Sequence, residues 1–151
     1  MSATHSYGQA FSVIRSLGLS ADQREEMFRR MVFNVVARNQ DDHVKNISFL
    51  MDKSGVWRLS PAYDVTYSYQ PGGTWTGQHQ MSIHGKRDDF QYDDLKAAAK
   101  DAGILRGHEK IIIEQVCDAV ALWPKLAAEE GLSAKKISQI QGTLCLYLGT
   151  T

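Results

Sequence analysis

Apolar residues recur along the first part of the chain at helical spacing. From Tyr7 to about Leu17 they fall at Ala10, Phe11, Val13, Ile14 and Leu17, and Gly18 stands where a helix would end. Residues 1 to 6, ahead of this helix, are expected to fray. Ser20-Ala21-Asp22-Gln23 carries the Ser-x-x-Gln signature of a capping box and predicts a second helix to about Arg38. One face of that helix is Phe28, Met31, Val32 and Val35. Phe33 and Val36 extend the apolar surface nearly all round, so its second half is expected to be buried on every side.

The period then changes. Ile47-Ser48-Phe49-Leu50-Met51 and Val56-Trp57-Arg58-Leu59 flank Asp52-Lys53-Ser54-Gly55, which predicts a β-hairpin with a glycine-containing turn. Ser60-Pro61 ends the second strand, since proline cannot donate to a continuing ladder. Residues 66 to 80 hold Pro71-Gly72-Gly73 and Gly77 with Tyr67, Tyr69 and Trp75 between them, a long loop with aromatic anchors. Met81 to Lys86 reads as a short strand ending in a turn. Helical spacing returns over roughly 91 to 102, 108 to 129 and 133 to 148, with Pro124 expected to kink or interrupt the second of these near its end and Ser133 to cap the third. The fold class is therefore mainly α with a small β-hairpin, an α+β domain.

Composition narrows the function classes. With 151 residues the chain suits a single domain spanning 1 to 151, and its 17 basic residues balance 17 acidic ones. That balance supplies no footprint for direct nucleic-acid binding or for an anionic membrane. No apolar run reaches the length of a membrane span and the first residues do not form a signal peptide, so a cytoplasmic location is expected. Cys117 and Cys145 lie among apolar neighbours in helix-patterned stretches, and both read as reduced core residues.

The chemistry is concentrated between the second helix and the hairpin. Asn39-Gln40-Asp41-Asp42-His43-Val44-Lys45-Asn46 places two acids, an imidazole, an ammonium and amides in eight positions. Taken alone it could be a polar connection whose Asn and Asp side chains shape the loop. Asp41 and Asn46 stand five apart, however, and a further acid, Asp64, follows the predicted hairpin. Protein kinases space the proton-accepting Asp and a magnesium-binding Asn in this way and bring a second metal-binding Asp in after a hairpin.

Phe33-Asn34-Val35 leading into Asn39-x-Asp41-x-His43-x-Lys45-Asn46, then Trp57-Arg58-Leu59-Ser60-Pro61-Ala62-Tyr63-Asp64, resembles the C-terminal lobe of the HipA-type serine/threonine kinases, the toxins of bacterial toxin-antitoxin pairs. The likeness is dense from about Phe28 to Ser68, looser at Ile83-His84-Gly85-Lys86, and beyond that a matter of pattern. It implies that Asp41 is the catalytic base and that Asn46 and Asp64 are Mg2+ ligands. His43 and Lys45 become catalytic and cofactor-binding candidates near the ATP γ-phosphate, with a loop-shaping role for His43 equally open. Asp42 is expected to be a solvated or capping residue, Asn39 a loop-shaping amide, and His84 and Lys86 exposed turn residues. The implied substrate is a protein of the translation machinery, such as an aminoacyl-tRNA synthetase, and the implied partner a small DNA-binding antitoxin.

The chain departs from the family's pattern in two ways. The triplet at the second acid is Tyr63-Asp64-Val65, without glycine. Nothing before residue 20 resembles a glycine-rich phosphate loop or its strand lysine, so the N-terminal nucleotide-binding lobe is expected to be missing or to come from a partner chain, and the isolated lobe to bind ATP weakly with little activity. A non-catalytic interaction module, or a metal phosphohydrolase built on Asp41, Asp42, His43 and Asp64, are the alternatives.

Overall fold

The computed structural model describes residues 5–150. Residues 1 to 4, on which most of the expected fraying falls, lie outside them. His5 and Ser6 form a two-residue strand, β1 (His5–Ser6), and Ser6 then caps α1 (Tyr7–Ser16). Its hydroxyl accepts from Gln9 N while the Gln9 side chain accepts from Ser6 N, a complete capping box.

The core is built on α2 (Ala21–Val36), whose Met27, Phe28, Met31, Val32, Val35 and Val36 are buried. Each such side chain contributes about 1.5–3 kcal/mol relative to an exposed one. Phe33 is only half-buried, so the expected all-round burial stops short of it. Ser20 caps α2 as expected, its hydroxyl accepting from Gln23 N at 3.4 Å. The Gln23 side chain does not close the box. Its Oε1 instead accepts from Leu59 N at 2.7 Å, so it fastens the hairpin to the start of α2.

The hairpin forms where the turn residues placed it. β2 (Phe49–Met51) pairs antiparallel with β3 (Trp57–Leu59) in the register Phe49 to Leu59 and Met51 to Trp57. Asp52 Oδ1 accepts from Ser54 N, Ser54 Oγ and Val56 N, and Gly55 takes the left-handed φ of +86° that closes the turn. Farther along, β4 (Met81–Ser82) runs parallel to β1, which draws the start of α1 against the end of the long loop.

The remaining helices wrap α2. Leu95, Ala98, Ala99 and Ala102 of α3 (Tyr92–Ala102) turn inward, and Ile112, Ile113, Val116, Cys117 and Val120 of α4 (His108–Val120) pack against α2. The expected helix over 108 to 129 is two helices. α5 (Trp123–Glu129) starts afresh, with Pro124 in its first turn, where a missing N–H costs nothing. α6 (Ala134–Gln141) is capped by Ser133 as expected but ends seven residues before the predicted 148. Beyond it Cys145 N donates to Val36 O at 3.0 Å, satisfying a free carbonyl at the end of α2, and a 3-10 turn over Leu146–Gly149 lays Leu148 into the core. Cys145 is thus outside any α-helix, though both cysteines are free and buried.

Gly149 sits tightly on α4: a Cβ there would come within 2.8 Å of Cys117 Cβ and 3.0 Å of Cys117 Sγ. Gly149→Ala is therefore expected to destabilise the chain by about 1–3 kcal/mol through overpacking. A thermal unfolding midpoint unchanged from wild type would contradict it.

Candidate functional site

The polar octet begins with a reversal of direction. α2 ends at Val36, and Arg38 adopts a left-handed conformation with φ of 56°. A non-glycine residue holds such a backbone only when its surroundings fix it. Here Arg38 Nε donates to Thr143 O at 2.7 Å, Nη1 donates to Gln40 Oε1 at 3.0 Å, and the guanidinium lies 4.6 Å from the centre of the Tyr69 ring. Asn39 donates through Nδ2 to Asn34 Oδ1, the loop-shaping role expected of it. Gln40, fully buried, donates from its backbone to Ser68 O and from Nε2 to Thr76 O. The 66 to 80 loop is thereby tied to the octet. Of its aromatic residues Tyr69 and Tyr67 are anchors, Tyr67 Oη lying 3.1 Å from Thr143 Oγ1, but Trp75 is 75% exposed and anchors nothing.

Successive side chains of an extended segment point to opposite sides. Asp42 points inward, against expectation: it is 3% exposed, neither solvated nor a cap. Its Oδ2 accepts from Tyr7 Oη at 2.6 Å and faces His79 Nδ1 at 2.9 Å, while Oδ1 accepts from Gln80 N at 2.8 Å. Asn34 Nδ2 donates to the same Tyr7 hydroxyl at 3.0 Å. Burial, and then the Asp42 carboxylate beside it, hold the Tyr7 phenol well above its ordinary range. Asp41 and His43 are both half-buried and gather at a common point outside this network.

The hairpin delivers Asp64 to that point. Ser60 N donates to Ser48 O, the two serine hydroxyls are 2.9 Å apart, and Tyr63 Oη donates to Lys45 O at 2.7 Å. Asp64 then takes φ of 53° without glycine beside it. Ligand atoms of Asp41, His43 and Asp64 lie within 4.8 Å of one another. Asn46 knits the group together, its Nδ2 donating to Asp41 O at 3.2 Å and to Asp64 Oδ2 at 3.0 Å. Of the five site residues read from sequence, Asp41, His43, Asn46 and Asp64 are thus brought together. Lys45 lies beside Asn46 in a 3-10 turn over Val44–Asn46, its side chain exposed and making no hydrogen bond or ion pair among the described residues.

His84 and Lys86 belong to a different neighbourhood. His84 Nε2 faces Asp101 Oδ2 at 3.2 Å, and Lys86 pairs with Asp94 at the start of α3. Tyr7 and His79 were not visible as members of the site. The only trace of them in the sequence is a Tyr at a helix start and a His in a loop without periodicity. A cavity of about 330 Å³ between α2, α4 and the octet is lined by Phe33, Asn34, His43, Tyr63 and Val116 among others. Asp41 and Asp64 lie outside it.

A helical lobe whose chemistry sits on a loop after its central helix, with a second acid delivered by a hairpin, has the order of a protein-kinase C-terminal lobe. The chain belongs to the HipA-like C-terminal domain family, which matches residues 1–123. Among solved structures it is similar to one described as the toxin-antitoxin system HipA, HipB and operator DNA complex of Shewanella oneidensis MR-1. The match has a TM-score of 0.70 and 22% identity, covering 96% of this chain and 34% of the other, so the likeness is one of fold over about a third of that protein's length. No curated protein sequence matches the chain. Among the described residues no helix is long and apolar enough to cross a membrane.

Proposed function

We propose that this chain is the catalytic lobe of a HipA-like serine/threonine kinase, which transfers the ATP γ-phosphate to a protein hydroxyl. The observation that carries this reading is the Asn46 bridge: one amide spans the Asp41 backbone and the Asp64 carboxylate at 3.2 and 3.0 Å. It holds together the groups the reaction needs although 18 residues separate Asn46 from Asp64.

Each residue then has a task. Asp41, half-buried and with no hydrogen bond to its carboxylate among the described residues, accepts the substrate hydroxyl proton. Asp64 and the Oδ1 of Asn46 offer the hard oxygen donors that suit Mg2+, and the ion supplies charge neutralisation at the phosphates. His43 stands beside the same carboxylates, and Lys45, exposed and with its ammonium unpaired among the described residues, is available to neutralise the transferred group. The grip on the nucleotide comes from an N-terminal lobe, in the same polypeptide or another, and the isolated lobe binds ATP weakly. A small DNA-binding antitoxin fits as partner, in keeping with the antitoxin-bound complex that the fold resembles, and a translation-machinery protein as substrate.

The test is Asp41→Asn in a polypeptide carrying both lobes. Phosphoryl transfer to a protein acceptor is expected to fall at least about 100-fold with the fold intact. Transfer that survives the substitution would remove Asp41 as the base, and no transfer by the unsubstituted two-lobed polypeptide would favour a non-catalytic, partner-binding role for this lobe.

A further inference from the structure

The Asp41, His43 and Asp64 side chains form a donor set that magnesium does not account for. Magnesium takes oxygen ligands in octahedral geometry, whereas an imidazole between two carboxylates is the chemistry of zinc, cobalt or nickel. We infer that Asp41, His43 and Asp64 form a binding site for a single borderline transition ion, of which Zn2+ is the fitting representative.

Two independent observations support it. The three ligand atoms already lie within 4.8 Å of one another, a spacing from which side-chain rotation can close onto the ~2.0–2.2 Å bonds of a zinc centre, leaving the fourth position to water. His43 Nδ1 is shut off from solvent and has no hydrogen-bond partner among the described residues, so the ring is not committed to shaping the loop through that atom. The second layer that such ligands require is in place. Asn46 Nδ2 orients Asp64, while the inward Asp42, held by Tyr7 and Gln80 N, fixes the backbone between Asp41 and His43. The other histidine–carboxylate contacts at the surface, His84 with Asp101 and His108 with Glu25, join two groups each and gain no third ligand among the described residues.

The ion would share only Asp64 with the magnesium site and would take Asp41 out of use as a base. Zinc binding and phosphoryl transfer therefore exclude each other, a consequence that rests on the kinase reading, whereas the binding itself does not.

The experiment is calorimetric titration of the 151-residue chain with Zn2+, without nucleotide, together with Co2+ absorption. One site of low-micromolar affinity or tighter is expected, weakened about 10–100-fold by His43→Ala and by Asp64→Asn. His84→Ala and His108→Ala should leave it unchanged. The Co2+ complex should give visible bands of low coordination number that disappear in His43→Ala and, if that variant does not fold by circular dichroism, in His43→Gln. No binding at about 100 µM zinc, or binding that persists in the folded His43 variant or is lost in His108→Ala, would overturn the inference. A zinc site with these dependences in a lobe whose two-lobed form shows no Asp41-dependent transfer would uphold the inference and remove the kinase reading.

Discussion

Asp42→Ala is expected to destabilise the chain by about 3–5 kcal/mol, although the neighbouring Asp41→Ala should change stability by no more than about 0.5 kcal/mol. The two aspartates are adjacent and chemically identical, so the difference lies in their surroundings. Asp42 is 3% exposed and receives contacts from three directions: Tyr7 Oη at 2.6 Å, His79 Nδ1 at 2.9 Å and Gln80 N at 2.8 Å. Truncation strands those donors in a space closed to water, and each stranded buried group costs about 1–3 kcal/mol. His79 would be left with neither ring nitrogen paired among the described residues, since its Nε2 is already buried and without a partner there. Tyr7 keeps only the bond from Asn34. Against a total stability of about 5–15 kcal/mol, the loss is a large fraction of what holds the domain together. Asp42→Asn should lose less, because an amide oxygen still accepts. Denaturant midpoints for the three variants decide the matter, and equal effects for Asp41→Ala and Asp42→Ala would show that the inward network does not hold the loop.

The same pair marks how far the sequence was legible. The group Asp41, Asn46 and Asp64 could be read because its parts are local. Asp41 and Asn46 share one loop, and the hairpin that delivers Asp64 announces itself through Asp52 and Gly55, whose side chain and backbone freedom make the turn. What backs the loop could not be read. Tyr7 and His79 lie 35 and 37 residues from Asp42, and nothing in the spacing of either links it to a carboxylate. Short non-local pairing was hidden for the same reason, as with the two residues that join β1 to β4. The helix ends failed differently. Helical spacing runs without interruption past Val120, and Pro124 signals equally a kink or a first turn, which only the break after α4 distinguishes. α6 stops early because the chain must bring Cys145 N to the Val36 carbonyl, a demand set by a helix end more than a hundred residues away.

Stability is expected to fall as the pH rises above about 9, steepening above about 10. Burial pushes the Cys117 and Cys145 thiols above their ordinary 9.0, and burial followed by the Asp42 carboxylate pushes Tyr7 well above its ordinary 10.0. All three shifts favour the protonated form in the folded chain. A group whose folded value is raised contributes stability that is fully present below its unfolded value and is lost as the pH climbs toward the folded one. The cysteines therefore act first, above about 9, and Tyr7 above about 10, each removing up to about 1.4 kcal/mol per pH unit while it stays protonated only in the folded state. Tyr147, pushed up to about 12 chiefly by burial, acts in the same direction but is 47% exposed, and solvent weakens its share. Equilibrium denaturation from pH 8 to 11 measures the slope, and Tyr7→Phe separates its sources. That variant should be less stable than wild type at pH 8, where it lacks the bond to Asp42, and should decline more gently above pH 10, where it has no phenol to ionise. Parallel slopes above pH 10 would mean that the Tyr7 hydroxyl is not held protonated by the fold, and that the Asp42 network is looser than its 2.6 Å contact implies.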